Sequence, residues 1–197
     1  MDTKGYTIIL ASGSPRRQSF FEDMEIPFIK KVIPIEENFP KGLSGVEIAK
    51  HIALKKAEPF YEKLNLKDIV VTADTIVWHN NKCIGKPKDV YDAEKILTEL
   101  SGSTHQVITG VGFLQKGSWE CIYSISDVTF KSLLIEDIKA YTKTGSPLDK
   151  AGAYGIQDSF GTLNITNIKG SYTNIIGLPV PLVYEKIKEI INKSKTI

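Results

Sequence analysis

Only two cysteines occur in the 197 residues, Cys83 and Cys121, and they show neither metal-ligand spacing nor the pattern of a disulfide framework. That argues against a structural zinc centre or a stapled fold and makes a reducing cytoplasm the expected compartment. Apolar runs approaching the roughly 20 residues needed to cross a bilayer are missing, as is a polybasic segment suited to an anionic membrane surface. The first residues lack a basic stretch followed by an apolar run, so no secretory leader is expected. Excess charge is also missing: 25 Lys and Arg stand against 23 Asp and Glu. A net charge of +2 is too small a footprint for nucleic acid, and any cationic site must be local. No internal repeat or low-complexity linker breaks the chain. With 42% hydrophobic residues it is long enough to bury one real core.

The apolar and β-branched run Tyr6 to Ala11 reads as a buried strand entering the tight Ser12-Gly13-Ser14-Pro15 loop. Ser14 as N-cap and Pro15 at N1 predict a helix through about Met24. Ser44 and Glu47 have capping-box spacing ahead of Ile48, Ile52, Ala53, Ala57 and Phe60 at helical intervals. Asp68 to Asp74 predicts a second buried strand with Asp74 at its end, followed by a hairpin centred on Asn80-Asn81. Asp89 caps a helix through Leu100, and two strands then meet near Lys116-Gly117-Ser118. A helix around Glu136 to Lys143 stops at Gly145. The stretch from Pro147 to Tyr172, rich in Gly, Asn, Asp and Ser, carries one strand near Leu163 to Ile168 and is too long for an idle connection. A last helix begins near Pro181 and ends with exposed basic residues.

Three groups of residues carry chemistry. A strand, then Ser12-Gly13-Ser14-Pro15-Arg16-Arg17, then a helix places backbone N–H groups, small residues and two cations together, which suits a phosphate. It lacks the Walker spacing and so is not a P-loop; helix capping beside solvated arginines explains the same residues about as well. Asp74 directly follows an apolar run, and ligands of open α/β sheets bind beyond the carboxyl ends of strands, so a role in a site is favoured over capping. Glu36 and Glu37 read by the same test as a solvated pair. Lys86, between Gly85 and Pro87, can be aimed at a phosphate, although such tripeptides are usually turns. His51, His79 and His105 make no metal pair, and Trp78 and Trp119 read as packing residues.

From Leu10 to Pro179 the chain resembles the Maf family of nucleoside triphosphate pyrophosphatases. The resemblance rests on Ser12 to Arg17, Glu37, Lys56-Ala57, Ala73-Asp74-Thr75, Gly85-Lys86-Pro87, Ser101-Gly102 with His105 and Thr109-Gly110, Asp149 to Gln157, Gly170-Ser171-Tyr172, Asn174 and Gly177-Leu178-Pro179. It implies an α/β fold in which a mixed sheet is flanked by helices. It also implies that residues 1–197 form a single elongated domain of the inosine triphosphate pyrophosphatase type, with two lobes around a nucleotide cleft.

The implied reaction cleaves a nucleoside triphosphate between the α and β phosphates, with a divalent cation, Mg²⁺ or Mn²⁺, in a homodimer. By position, Asp74 looks like the proton acceptor and, with Glu37, a metal ligand. Arg16, Thr75 and Gln157 match positions tied to substrate choice in the dTTP/UTP branch, and Ser12, Arg17, Lys56 and Lys86 match positions along the phosphates. Ala73-Asp74-Thr75, and Ser101-Gly102 followed by His105 and Val107, look like the dTTP/UTP branch rather than the 7-methyl-GTP branch. Asp158 departs from the family pattern, which usually has Gly after the Ile-Gln pair. A non-catalytic nucleotide-binding regulator would keep the Ser12 to Arg17 cradle without needing a carboxylate at the scissile bond.

Overall fold

A computed structural model describes residues 1–193. Its strands are β1 (Thr7–Leu10), β2 (Phe28–Lys30), β3 (Asp68–His79), β4 (Lys82–Ile84), β5 (Thr104–Gln115), β6 (Ser118–Phe130) and β7 (Ile165–Lys169). Its α-helices are α1 (Pro15–Asp23), α2 (Gly45–Ala57), α3 (Val90–Leu100), α4 (Ile135–Thr142), α5 (Ser159–Asn164), α6 (Tyr172–Ile176) and α7 (Val180–Lys193). The strands form one seven-stranded sheet in the order β2-β1-β3-β5-β6-β7, with β4 on β3. The sheet is mixed: β1 runs parallel to β2 and β3, whereas β4 and β7 run antiparallel to β3 and β6. The expected mixed sheet with flanking helices is what the chain forms.

Local chemistry accounts for most boundaries. Ser14 accepts from the Arg17 N–H and Pro15 opens α1. The Glu47 carboxylate accepts from the Ser44 N–H at 2.7 Å to start α2. Asp89 accepts from the Asp92 N–H at 2.8 Å to start α3. Asn80 and Asn81 both adopt positive φ, 47° and 57°, the conformation of a two-residue hairpin turn, and Asn tolerates it better than most residues.

The described residues fold into two compact units, the first built from Met1–Asp74, Thr109–Ser124 and residues 177–193, the second from Thr75–Ile108 and Ile125–Ile176. In the first unit, successive β3 residues alternate between two cores. Ile69, Val71 and Ala73 join Ile8, Leu10, Val111, Phe113 and the α7 stripe Val183, Ile187, Ile190 and Ile191. Val70 faces the other way, to Ala57, Phe60, Leu64 and Leu114, and Thr72 on that same face donates to the Ala53 carbonyl of α2 at 2.7 Å. The two-residue period of a strand therefore assigns Asp74 to the α2 face. Burying each of the Val, Leu, Ile and Phe side chains contributes about 1.5–3 kcal/mol. The Trp119 indole covers Gly112 so closely that a Cβ there would sit 1.7 Å from it, which gives Trp119 its packing role.

In the second unit, Ala93, Leu97 and Leu100 of α3 pack with Val77, Val107, Val128, Phe130, Ile138, Tyr154 and Phe160.

The structure corrects two sequence expectations and adds one strand. Asp74 does not end its strand, because β3 continues through it to His79. The strand tolerates the acid because Lys56, brought in by α2, neutralises it at 2.7 Å, a tertiary contact that no local pattern announces. The three-residue edge strand β2 was not expected, being short and mostly exposed. The stretch from Pro147 to Tyr172 is not one loop with a strand but holds two 3₁₀ turns (Ser146–Asp149 and Ala151–Ala153), α5 and β7, with α6 following.

Candidate functional site

Within the first unit the fold gathers Ser12, Arg17, Glu37, Lys56 and Asp74. β1 pairs with β3 only as far as Leu10 and Val71, so the loop at Ser12 leaves β1 beside the stretch of β3 that leads to Asp74. The first turn of α1 then delivers Arg17, and the last turn of α2 delivers Lys56.

Arg17 is buried and held by several acceptors. Its Nε donates to the Gly177 carbonyl at 2.8 Å, and its Nη1 to the Ala73 carbonyl at 2.9 Å and to Ser12 Oγ at 3.3 Å. Burial lowers its pKa from the usual arginine value, while Asp74 and Glu37 act in the opposite direction; a guanidinium stays protonated throughout. Fixed in this way, Arg17 ties β1, β3 and the start of the C-terminal segment together and places a positive charge beside Asp74.

Lys56 Nζ donates to Asp74 Oδ1 at 2.7 Å and forms an ion pair with Glu37 Oε1 at 2.9 Å; the Ala73 carbonyl lies at 3.4 Å. Its neighbour Lys55 reaches the same acidic loop, donating to the Glu36 carbonyl at 3.4 Å and to the Asn38 side chain. Two adjacent lysines of α2 therefore dock the segment 36–38. Glu37 is half exposed, whereas Asp74 is buried. Burial raises the Asp74 pKa above the ordinary carboxylate value; Lys56 and Arg17 pull it down, and Glu37 adds a smaller upward push. The Asp74 carboxyl thus combines burial with two neighbouring cations, the surroundings that shift a carboxyl from its ordinary behaviour.

Gly110 of β5 sets the spacing between the sheet and α2. A Cβ there would lie 2.8 Å from the Ala49 carbonyl carbon and oxygen, so α2 comes this close only over glycine.

Residues 7–190 match the profile of the family described as Maf-like protein. The chain belongs to the Maf family. It is 46% identical over 188 residues to the dTTP/UTP pyrophosphatase of Flavobacterium johnsoniae, covering 95% of this chain and 97% of that protein. It is 50% identical over 177 residues to the protein of the same name from Flavobacterium psychrophilum, covering 90% and 91%. The protein of that name from Christiangramia forsetii is 43% identical, with 96% of each chain covered. Among solved structures, the Ham1 protein of Staphylococcus aureus aligns over 63% of this chain and 71% of its own, at 14% identity and a TM-score of 0.44.

The other expected site residues of this Maf chain stand as follows. Arg16 follows Pro15 on α1 and is half-buried. Thr75, Lys86 and Gln157 belong to the second unit, where Lys86 and Gln157 are exposed and Thr75 is half-buried. Among the described residues no cluster of three or more His, Cys, Asp or Glu is arranged to hold a metal, and no helix is long and apolar enough to cross a membrane. His105 is buried, with Nε2 2.7 Å from the Tyr154 hydroxyl, as a hydrogen-bonded core histidine.

Sequence reasoning did not anticipate the residues that hold Asp158. The Tyr141 hydroxyl donates to its Oδ2 at 2.5 Å and the Ser146 hydroxyl at 3.0 Å, and Lys150 Nζ lies 3.7 Å away. Lys150 lies inside the matched stretch Asp149 to Gln157, but nothing local marks Tyr141.

Proposed function

We propose that this chain hydrolyses dTTP and UTP to the nucleoside monophosphate and pyrophosphate, with Asp74 as the general base. The observation that carries the proposal is a buried carboxyl, raised by burial and held 2.7 Å from Lys56 beside Arg17 and Glu37. Relatives that share 43–50% of their residues with it across at least 90% of this chain bear the name dTTP/UTP pyrophosphatase.

Attack on the α-phosphorus requires an activated water, a fixed in-line approach and neutralisation of the departing pyrophosphate. Asp74 accepts the proton of the attacking water. Lys56 and Arg17 sustain its ionised form between turnovers and lend positive charge to the phosphates, joined by Arg16 and by backbone N–H groups of the Ser12 to Ser14 loop. Lys86 contacts the phosphate tail, and Thr75 and Gln157 read the base edge. A mismatched base leaves a polar contact unpaired, at about 1–3 kcal/mol.

The donor chemistry fits a hard divalent cation. Glu37 and Asp74 converge on one ammonium, that of Lys56, which marks a place suited to positive charge. Two carboxylates with the substrate phosphates completing the shell is a usual way to hold Mg²⁺. When bound, the cation would lower the pKa of the attacking water and offset phosphate charge. Residues 1–197 then act as one catalytic domain, working as a homodimer in the cytoplasm.

The test is pyrophosphate release from a panel of canonical triphosphates and 7-methyl-GTP, with Mg²⁺ and with Mn²⁺. Release favouring dTTP and UTP is expected. Tight binding without release would mark a nucleotide-binding regulator instead, and preference for 7-methyl-GTP would move the chain to the other branch.

A further inference from the structure

Asp158 occupies the N-cap position of α5, the place where an aspartate normally accepts from the N–H groups of its own helix, yet its side chain makes no capping bond. Its carboxylate turns instead to Tyr141 at 2.5 Å, Ser146 at 3.0 Å and the Lys150 ammonium at 3.7 Å. Lys150 is itself fixed, donating to the Ser146 carbonyl at 2.5 Å and to Asp149 at 2.7 Å. A residue that forgoes its local capping bonds for three partners beyond its own helix is being used to hold something else in place.

What it holds is the turn that carries Gln157. The Tyr141 hydroxyl that donates to Asp158 also accepts from the Gly155 N–H at 3.2 Å, and the Asp158 N–H donates to the Gly155 carbonyl at 3.1 Å. Gly155 and Asp158, which bracket Ile156 and Gln157, are thus both tied to one phenol. That phenol is immobilised in turn, its ring stacked on Phe160 with centroids 4.4 Å apart and planes 9° from parallel. The turn has no slack: a Cβ on Gly155 would lie 2.7 Å from Asp158 Oδ1, and one on Gly161 would lie 2.3 Å from the Gly155 carbonyl oxygen. Gln157 projects from this clamp as an exposed side chain. Burial, reinforced by the Asp158 carboxylate, pushes the Tyr141 phenol above its usual pKa, so it remains a donor at every working pH.

We infer that Asp158 is a positioning residue for base selection, clamping the Gly155 to Asp158 turn through Tyr141 so that Gln157 presents one fixed amide to the pyrimidine edge. The inference rests on the proposed role of Gln157 and deepens it. It also accounts for the carboxylate that departs from the family pattern: the acid is consumed by the clamp and does not face the base.

Two variants test this, Asp158→Gly, which removes the carboxylate, and Tyr141→Phe, which keeps the ring on Phe160 and removes the hydroxyl. Amide hydrogen exchange of the apo protein is expected to speed up by about tenfold or more at residues 155–158 while β5 amides stay unchanged, because local opening no longer breaks the clamp. The ratio of dissociation constants for dTMP and dCMP, products that are not turned over, is expected to move by about tenfold toward unity in both variants. Asp158→Asn, which keeps an acceptor for the Tyr141 hydroxyl, should recover part of both losses. Unchanged exchange at 155–158, or an unchanged dTMP to dCMP ratio in both variants, overturns the assignment. Because these readouts need no turnover, they stand apart from the function test: a wild type that binds dTMP but releases no pyrophosphate sinks the hydrolase reading and leaves the clamp to be judged by exchange and binding alone.

Discussion

Lys56 Nζ stands between two acids, 2.7 Å from Asp74 Oδ1 and 2.9 Å from Glu37 Oε1. One ammonium thus joins the residue proposed to take the proton to the residue proposed to share the cation. Asp74 is pushed up by burial and pulled back by Lys56, so its working pKa is the balance of the two.

That balance sets the acid limb of the rate profile. Lys56→Met removes the stronger of the two downward influences, so the Asp74 pKa must rise and the base must be lost at a higher pH. The acid limb of kcat/KM is expected to move to higher pH, because a neighbouring opposite charge that favours the ionised form is lost. A limb that stays in place would separate Asp74 from the titration that controls turnover.

Two glycines distinguish packing from substrate contact. A Cβ on Gly110 meets the Ala49 backbone at 2.8 Å, whereas one on Gly13 meets nothing within 4 Å. Gly110→Ala is expected to cost about 1–3 kcal/mol in chemical denaturation and to lower kcat/KM by shifting the helix that carries Lys56. Gly13→Ala should leave the denaturation midpoint in place and raise KM, because its methyl intrudes where a phosphate approaches the loop. An unchanged KM in the second variant removes the loop from the phosphate site.

Buried His105 makes stability depend on acid. Burial, with a smaller contribution from nearby His79, lowers its pKa from 6.5 to about 4. The unfolded chain therefore binds the proton more readily, and stability is fully present above pH 6.5 and is lost as pH falls toward 4. The loss tends to roughly 3 kcal/mol at most, at 1.36 kcal/mol per unit. Denaturant titrations across this window should show the slope in the wild type and a flatter one in His105→Gln; equal slopes would mean that another group carries the acid sensitivity.

Much of the fold can be read locally. The Ser14-Pro15 cap, the Ser44 and Glu47 box, the Asn80-Asn81 turn and the Asp89 cap each depend on residues within a few positions, and each stands where the sequence puts it. The readings that fail depend on partners far along the chain. Asp74 looks like a strand end until Lys56, 18 residues away, neutralises it and lets β3 continue. The six-residue α5 contains Gly161, a poor helix former that is required because the helix lies against the Gly155 turn. Asp158 departs from the family pattern, and nothing near it in the sequence announces its bond to Tyr141, 17 residues away. Ser12, Arg17 and Asp74 are legible as residue types and Lys56 through the resemblance, but not the attachment of Arg17 to the Gly177 and Ala73 carbonyls, since backbone acceptors leave no mark in a sequence.

The central claim, that Asp74 takes the proton from the attacking water, is tested most directly by pyrophosphate release from dTTP and UTP in Asp74→Asn. The amide keeps the size of the carboxyl but is no base. Turnover is expected to fall by at least about 100-fold, the usual contribution of a general base, with the circular dichroism spectrum and product binding retained. Turnover within a few-fold of the wild type would contradict the account.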